Sequence, residues 1–324
     1  MDARKEILNK FLKKNNIKES EITSINTDAS FRNYYRVKGK QILVMDAPPE
    51  KGESVSAFEK IDKILLNFGL SVPSIKDIDK KNGFILLEDF GTEVFSKILS
   101  DHNEKDLYDT AIAVLAHIYH ESLNSSIKQN QIETYSIDIL INEAIIFYEW
   151  FLEKHIGVSL DDSAKLKYQS IIKEVYDLIM PTNNMLVLRD FHVDNLIYLK
   201  DKQTIKKVGI IDFQDALIGS NAYDLVSLLE DVRRPISLVL KERLLTKYID
   251  LTNCDSKKLF QEMEFFSVQR NLKIIGIFSR LKYRDGKDTY MQYLDNAWNF
   301  IHIHLENSIF SDMKDWIYEN TKKL

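Results

Sequence analysis

The sequence predicts an α+β fold of two lobes, a small β-rich lobe over residues 1–89 and a larger, mainly helical lobe over residues 90–324. Three observations lead to this prediction. Short apolar runs separated by turn residues fill the first part of the chain, apolar residues recur at helical spacing after it, and short β-like runs interrupt the helical part. A chain of 324 residues is long enough to bury two separate cores.

The small lobe combines strands with a helix. We expect the helix over Ser56–Phe68, where apolar residues recur at the spacing of one helix face. The expected strands are the apolar runs at residues 34–37, 41–45 and 84–87. The turn pair Asn82-Gly83 precedes the last of these runs, which supports a strand there.

The large lobe is predicted to be helical with a β interruption. Helices are expected after Asn103, over residues 137–152 and 162–180, and again from about residue 222 to the end. The interrupting apolar runs lie at residues 185–188, 196–199 and 208–211. Polar residues cluster where these runs end. Such positions favour catalytic groups because a rigid scaffold aims the side chains.

Composition excludes several classes of protein. The net charge of −5 argues against a polyanionic partner such as nucleic acid. A single cysteine, Cys254, rules out an internal disulfide framework and fits a reducing compartment. The first residues are charged and lack the apolar core of a signal peptide, and no apolar run approaches the length of a membrane span. We therefore expect a cytoplasmic protein that binds neither nucleic acid nor membrane.

Asp190, Asn195 and Asp212 form the most informative pattern. The spacing D-x4-N, followed by an apolar strand and Ile-Asp-Phe, is typical of kinase-type phosphotransferases. Asp190 would accept the proton of a substrate hydroxyl and orient it for attack. Asn195 and Asp212 would supply oxygen ligands to Mg²⁺ beside the phosphates of ATP. The alternative is that these are ordinary turn residues, since Asp and Asn are common at strand ends.

These residues resemble the aminoglycoside phosphotransferase/choline kinase-like superfamily, whose pattern is HGDxxxxN followed by IDW or IDF. Residues 222–229 are similar to that family's PAYDLA segment. The resemblance is closest to the bacterial branch of N-acetylmuramate/N-acetylglucosamine anomeric kinases. The blocks that carry it lie at residues 27–37, 44–49, 188–195, 212–216, 228–234 and 272–280.

The resemblance implies a protein kinase-like two-lobe fold and an ATP- and Mg²⁺-dependent kinase. Its substrate would be the anomeric hydroxyl of an amino sugar in cell-wall recycling, and no obligatory protein partner is implied. Asp224 resembles the aspartate that braces the catalytic loop in the superfamily. Glu88 and Phe90 fall at the lobe junction, where the backbone meets the adenine in the resembling families.

Two departures from the superfamily pattern affect the loops. Leu188 and Arg189 replace the usual His and Gly, so we expect Arg189 to brace the loop by pairing with a carboxylate. The phosphate-covering loop has no glycine, since none occurs before Gly39. The residues expected to contact ATP there are Ser30, Phe31, Arg32 and Asn33.

A third departure concerns the ATP-contacting lysine and its glutamate partner. The strand that should carry the lysine reads Leu43–Asp46, and the helix position for the glutamate falls nearest Phe58, next to Glu59. The joint loss of the lysine and the glutamate is physically reasonable, because either residue alone would leave an unpaired charge. Arg32 is the expected replacement cation. The alternative is that Met45 and Asp46 face elsewhere and the site is weak for ATP.

His192, Asp215 and Arg233 are candidate substrate contacts. His192 is equally well explained as a hydrogen-bonding strut within the loop. Asp215 could instead cap a helix, and Arg233 could be a solvated charge at a helix end. These alternatives stay open on the sequence alone.

Two other functions remain compatible with the sequence. One is a kinase of another alcohol, such as an aminoglycoside, choline or homoserine; the other is a nucleotide-binding pseudokinase. Choline would require an aromatic cage, for which Tyr148, Trp150 and Phe151 are candidates, but their helical spacing fits core packing better.

Overall fold

The computed structural model describes residues 3–25, 31–125, 127 and 132–321. The chain folds as two compact units. The first comprises Met1–Val114 and Asp190–Ala216, and the second comprises Leu115–Arg189 and Leu217–Leu324. Sheet and helices occur together, so the predicted α+β class is confirmed. The lobe boundary predicted after residue 89 stays a prediction.

The first unit contains an antiparallel five-stranded sheet in the order β1-β2-β3-β5-β4. Its strands are β1 (Ile22–Ile25), β2 (Asn33–Val37), β3 (Ile42–Asp46), β4 (Ile75–Asp79) and β5 (Phe84–Glu88). Its helices are α1 (Ala3–Lys14), α2 (Val55–Asn67), α3 (Phe95–Ile98) and the first half of α4 (Glu104–Asn124). The three predicted strands are present to within a residue, whereas α1, β1 and β4 were not predicted.

The two faces of this sheet differ because side chains alternate along a strand. Val44 and Phe84 share a core with Leu8 and Phe11 of α1. Met45 follows Val44 and therefore points to the opposite face, where its cross-strand neighbour is Tyr34. The sheet thus has an α1-covered face and a second face that carries Tyr34.

A short hairpin completes the first unit. Strands β7 (Leu196–Tyr198) and β8 (Val208–Ile210) pair antiparallel. The Ile210 amide donates to the Ser71 carbonyl at 2.9 Å, and the Tyr198 amide donates to the Glu93 carbonyl at 2.8 Å. A Cβ on Gly209 would lie 2.7 Å from the ring of Phe90, so only glycine permits this close packing.

The second unit is mainly helical. Its helices after α4 are α5 (Ile137–Ile146), α6 (Asp162–Ile179), α7 (Ala222–Leu229), α8 (Leu238–Thr252), α9 (Ser256–Asp285), α10 (Leu294–Leu305) and α11 (Ser311–Asn320). Strands β6 (Met185–Val187) and β9 (Leu217–Gly219) pair antiparallel. No helix among the described residues is both long and apolar enough to cross a membrane.

The long helix α9 packs closely against the end of α5. A Cβ on Gly276 would lie 2.5 Å from the Ile146 carbonyl group, so glycine lets the two backbones approach. Beyond Ile146 the chain continues as a π-helix over Phe147–Ile156. The sequence predicted one helix over 137–152, and the apolar spacing gave no sign of this change in winding. Tyr148 and Phe151 are buried here, as core packing predicts.

Candidate functional site

The β7–β8 hairpin brings Asn195 and Asp212 to one end of the same two strands. Leu196 pairs with Ile210, so the residue before β7 and the residues after β8 meet at that end. The Ile211 amide donates to the Asn195 carbonyl at 3.1 Å and extends the pairing by one step. Asn195 and Asp212, both predicted as metal ligands, therefore lie on adjoining backbone.

The loop from Asp190 to Asn195 is closed by its own hydrogen bonds. The Asp190 carbonyl accepts from the His192 amide at 3.1 Å and from Asn195 Nδ2 at 3.0 Å. The Asn195 amide donates to the His192 carbonyl at 2.9 Å. These bonds fix the orientation of the Asn195 carboxamide, with its nitrogen turned into the loop. Asp190 itself is exposed.

Asp212 holds a left-handed backbone conformation with φ of 59°. Such a φ is uncommon outside glycine, although Asp tolerates it better than most residues. Its Oδ1 accepts from Arg32 Nη1 at 2.9 Å and from Gln214 Nε2 at 3.0 Å. Gln214 Nε2 also donates to Asp215 Oδ2 at 2.8 Å, which ties the two carboxylates together.

Arg32 is a buried cation among acidic side chains. Its Nε lies 2.9 Å from Glu53 Oε2, its Nη1 2.9 Å from Asp212 Oδ1 and its Nη2 3.6 Å from Asp215 Oδ2. Burial lowers the pKa of Arg32, but the acidic neighbours and Tyr34 raise it above its ordinary value, so the guanidinium stays protonated. One cation facing three carboxylates leaves an excess of negative charge.

Tyr34 lies beside this cluster on β2. Burial raises the pKa of its hydroxyl to about 12; the Arg32 cation opposes this shift, while Asp212 adds to it. The phenol is therefore neutral at physiological pH.

The residues present fit a divalent cation. Asn195 and Asp212 offer a carboxamide and a carboxylate, the oxygen ligands that Mg²⁺ prefers. The carboxylate excess around Arg32 has the sign and size that a divalent ion would balance. The roles of Asn195 and Asp212 as ligands stay predictions.

The positions expected for the lysine–glutamate pair are apolar. Met45 is 1% exposed, and Asp46, on the opposite side of β3, accepts from Arg4 Nε at 2.9 Å. On α2, Phe58 is buried, and its ring centroid lies 4.8 Å from that of Phe213. Glu59 turns away to form ion pairs with Lys63 and Lys80. Met45 and Phe58, at the two expected positions, therefore do not form an ion pair.

The remaining residues predicted to contact ATP differ in exposure and in their contacts. Phe31 is 53% exposed, with Lys51 Nζ 5.1 Å from its ring centroid. Asn33 begins β2 and is exposed. Ser30 lies outside the described residues. At the predicted junction, Glu88 accepts from the Ser74 hydroxyl at 2.7 Å, and Phe90 packs on Gly209.

In the second unit, Asp224 bonds to the backbone just before Asp190. Its buried carboxylate accepts from the Leu188 amide at 2.7 Å and from the Arg189 amide at 2.8 Å. Arg189 is left-handed with φ of 72°, at the position where the superfamily pattern has glycine. The two hydrogen bonds hold a backbone conformation that an arginine would otherwise avoid.

The Arg189 side chain pairs with Glu143 of α5. Lys273 Nζ of α9 lies 2.9 Å from the same carboxylate, and the Tyr135 hydroxyl donates to it. Burial raises the pKa of Glu143, but Lys273 and Arg189 outweigh burial and hold it below its ordinary value. A charged Glu143 therefore fastens the residue that precedes Asp190 to two helices.

The three candidate substrate contacts differ in setting. His192 is buried within the loop. Asp215 lies in a turn that leads into β9, so the helix-cap interpretation is wrong. Arg233 follows α7, lies 3.9 Å from Asp231 and places its guanidinium 5.7 Å from the Phe278 ring centroid.

Glu53 and Glu143 were not predicted from the sequence. Glu143 had a detectable signal, because it interrupts the apolar stripe of α5 between Leu140 and Phe147. Glu53 had none, since an acidic residue ahead of a helix is common on any protein surface.

Comparison with known proteins identifies the family. Residues 21–259 match the phosphotransferase enzyme family, APH. The chain is 31% identical over 279 residues to the N-acetylmuramate/N-acetylglucosamine kinase of Pseudomonas putida, covering 83% of this chain and 79% of that protein. It is 30% identical over 298 residues to the kinase of the same name from Neisseria meningitidis serogroup B, covering 88% and 85%.

Solved structures share the fold at low sequence identity. The choline kinase LicA from Streptococcus pneumoniae superposes with a TM-score of 0.64 at 15% identity, covering 92% of this chain and 99% of that one. The wild-type aminoglycoside 2'-phosphotransferase-IIIa gives a TM-score of 0.62 at 15% identity, covering 95% and 99%. The predicted protein kinase-like two-lobe fold is thereby confirmed.

Proposed function

The chain belongs to the phosphotransferase enzyme family, and on that premise we propose that it transfers a phosphoryl group from ATP to the anomeric hydroxyl of an amino sugar. The observation that carries the proposal is the convergence of Asn195 and Asp212 at one end of the β7–β8 hairpin, next to the loop that bears Asp190. The kinase names of the curated relatives support N-acetylmuramate or N-acetylglucosamine as the acceptor.

Asp190 is the proposed general base. Its carboxylate accepts the proton of the C1 hydroxyl as the hydroxyl oxygen bonds to the γ-phosphorus, and the bond from that phosphorus to the ADP oxygen breaks. The exposed side chain on an internally bonded loop suits this role, because only the carboxylate needs to reach the sugar. Asp224 and the Arg189–Glu143 pair brace the backbone that precedes it.

Asn195 and Asp212 are the proposed metal ligands, and Arg32 is the proposed phosphate-binding cation. Mg²⁺ held by these two residues would neutralise charge on the transferring phosphate. Arg32 supplies a positive charge on the sheet face where the strand offers Met45 instead of lysine. In this arrangement Arg32 binds the phosphates and Asn195 and Asp212 hold the metal, while Asp190 activates the acceptor.

His192, Asp215 and Arg233 remain the proposed sugar contacts. His192 belongs to the same loop as Asp190, and Asp215 shares the Gln214 amide with Asp212. Arg233 could pair with the carboxylate that distinguishes N-acetylmuramate from N-acetylglucosamine. Replacing Arg233 should then weaken use of the first sugar more than use of the second.

The test is an ATP-turnover screen over N-acetylmuramate, N-acetylglucosamine, choline, homoserine and an aminoglycoside. We expect turnover with the amino sugars, reduced about 10²–10⁴-fold in Asp190→Asn. Asp201→Asn, an exposed change in the turn between β7 and β8, is the matched control and should leave the rate unchanged.

Each other outcome corrects a defined part of the proposal. Turnover of choline, homoserine or the aminoglycoside alone would overturn the sugar assignment. Undiminished turnover in Asp190→Asn would overturn the assigned base. Nucleotide binding without turnover of any acceptor would favour a pseudokinase.

A further inference from the structure

Glu53 pairs with the cation proposed to bind phosphate. It lies directly before Ser54, whose hydroxyl caps α2 by accepting from the Ala57 amide at 3.2 Å. Its Oε2 is 2.9 Å from Arg32 Nε, and the two side chains are 18% and 11% exposed. A partly buried ion pair therefore links the start of α2 to the residue that precedes β2.

Kinase-type phosphotransferases hold their phosphate-binding lysine with a glutamate from a helix. Here both positions are apolar: Met45 occupies the strand, and the Phe58 ring packs on Phe213. Arg32 and Glu53 supply the same two charges from other positions, one ahead of β2 and one ahead of α2. The charge pair is thus retained although its usual residues are lost.

We propose that Glu53 is a positioning residue that holds Arg32 for phosphate binding, so that the Arg32–Glu53 pair replaces the strand-lysine and helix-glutamate pair. The inference rests on the proposed function. It deepens that function by assigning a residue to which neither the sequence pattern nor the comparisons gave a role.

The three guanidinium nitrogens of Arg32 face different carboxylates, which supports this role. Glu53 lies at Nε, while Nη1 and Nη2 face Asp212 and Asp215. The planar guanidinium presents its nitrogens in fixed directions, so the ion-pair contact at Nε can persist while the partners of the other two nitrogens change. Phosphate oxygens can therefore replace the aspartates at Nη1 and Nη2 without releasing Arg32 from Glu53. A lysine in its place would have a single nitrogen and could not keep its contact with Glu53 at one nitrogen while binding phosphate through others.

The experiment compares Glu53→Gln, Glu53→Asp and Arg32→Gln with Glu59→Gln as the matched control. Glu59 lies on the same helix but pairs with Lys63 and Lys80. We expect Glu53→Gln to raise the KM for ATP roughly tenfold while the KM for the sugar stays unchanged. Glu53→Asp should restore part of the loss, and Glu59→Gln should match the wild type.

Calorimetric titration with ADP, without sugar and with EDTA present, gives a readout independent of turnover. The Kd should rise in Glu53→Gln and in Arg32→Gln, and the double variant should bind no worse than Arg32→Gln alone, because the two residues act as a unit. The inference would be overturned if the fold-increases in Kd of the two single variants multiplied in the double variant. It would also be overturned if Glu53→Gln bound ADP as tightly as Glu59→Gln. Absence of sugar turnover in the wild type would instead refute the proposed function, while the titration would still decide the role of Glu53.

Discussion

Phe58 packs its ring against Phe213, with the two ring centroids 4.8 Å apart and both side chains buried. Phe213 directly follows Asp212, so this contact joins α2 to the segment that bears a proposed metal ligand. In the kinase-type pattern the corresponding helix position is a charged partner of lysine. The present chain makes the connection by aromatic packing and leaves the charges to Arg32 and Glu53.

Shortening Phe58 should weaken this connection. Phe58→Leu is expected to lower the free energy of unfolding by about 1–2 kcal/mol, since the buried aromatic contact is lost and a void remains. Urea unfolding measures the change. Phe260→Leu, at a side chain that is 43% exposed, is the control and should stay within about 0.5 kcal/mol of the wild type. Equal losses in both variants would show that the Phe58–Phe213 contact contributes nothing specific.

Arg189 combines a strained backbone with a bracing side chain, and two substitutions separate these properties. Arg189→Ala and Arg189→Gly both remove the pair with Glu143, so both should lower kcat by misplacing Asp190. Only alanine keeps the cost of the left-handed φ of 72°. Arg189→Gly should therefore be more stable than Arg189→Ala by about 1 kcal/mol in urea unfolding. Equal stabilities would mean that the backbone relaxes without its arginine.

Glu230 should make stability depend on acid pH. This buried carboxylate lies 2.6 Å from Lys241 Nζ and 3.2 Å from His304 Nε2. Burial alone raises the pKa of Glu230, but His304 and Lys241 outweigh it and lower the pKa from 4.5 to about 2. The folded state therefore favours the charged form, and the stabilisation is complete above pH 4.5 and lost as the pH falls toward 2.

We accordingly expect Glu230→Gln to lower the free energy of unfolding by about 2–4 kcal/mol at pH 7 and by less at pH 3. Urea unfolding at both pH values measures the two differences. A difference that does not shrink at pH 3 would contradict the assigned shift.

Asp62 should have the opposite dependence. It is 2% exposed on α2, and its Oδ1 has no hydrogen-bond partner among the described residues. Burial raises the pKa of Asp62 from 3.8 to about 7; Lys63 opposes the shift and Glu59 adds to it. The folded state binds this proton more tightly than the unfolded chain, so wild-type stability falls as the pH rises from 3.8 to 7.

Asp62→Asn should remove this loss of stability at high pH, because the amide does not ionise. The variant should gain roughly 1–3 kcal/mol over the wild type at pH 8 and almost nothing at pH 4, as followed by urea unfolding. Asp101→Asn, at an exposed turn residue, is the control and should show no such trend. A gain of the same size at both pH values would argue that the carboxyl does not titrate as assigned.

Local patterns in the sequence predicted that the central candidate residues lie where short strands begin and end. Asp190, Asn195 and Asp212 lie in one hairpin and its loop, and a hairpin is specified by residues close together in the chain. The same holds for β2, β3, β5 and α2. Each is predicted by the spacing of apolar residues within its own short segment of the sequence. The apolar pair Met45 and Phe58 was also anticipated, because both belong to such elements.

What the sequence did not reveal depends on long-range packing. Glu143 pairs with Arg189 from 46 residues away, and Glu53 meets Arg32 only once the sheet and α2 have formed. The left-handed backbone of Arg189 depends on the Asp224 carboxylate 35 residues further on. The change from α5 to a π-helix occurs where Gly276 of α9 approaches the backbone. The sequence of α5 alone carries no information about α9, so this change could not be predicted from it.

The most direct test of the central claim locates the phosphate on the product. Wild-type protein is incubated with ATP, Mg²⁺ and N-acetylglucosamine, and the product is examined by phosphorus–proton correlation NMR, with Asp190→Asn in parallel. The proposed function predicts coupling of the phosphorus to the anomeric proton of the sugar, and almost no product from Asp190→Asn. A phosphate on any other hydroxyl, or the same yield from both proteins, would contradict it.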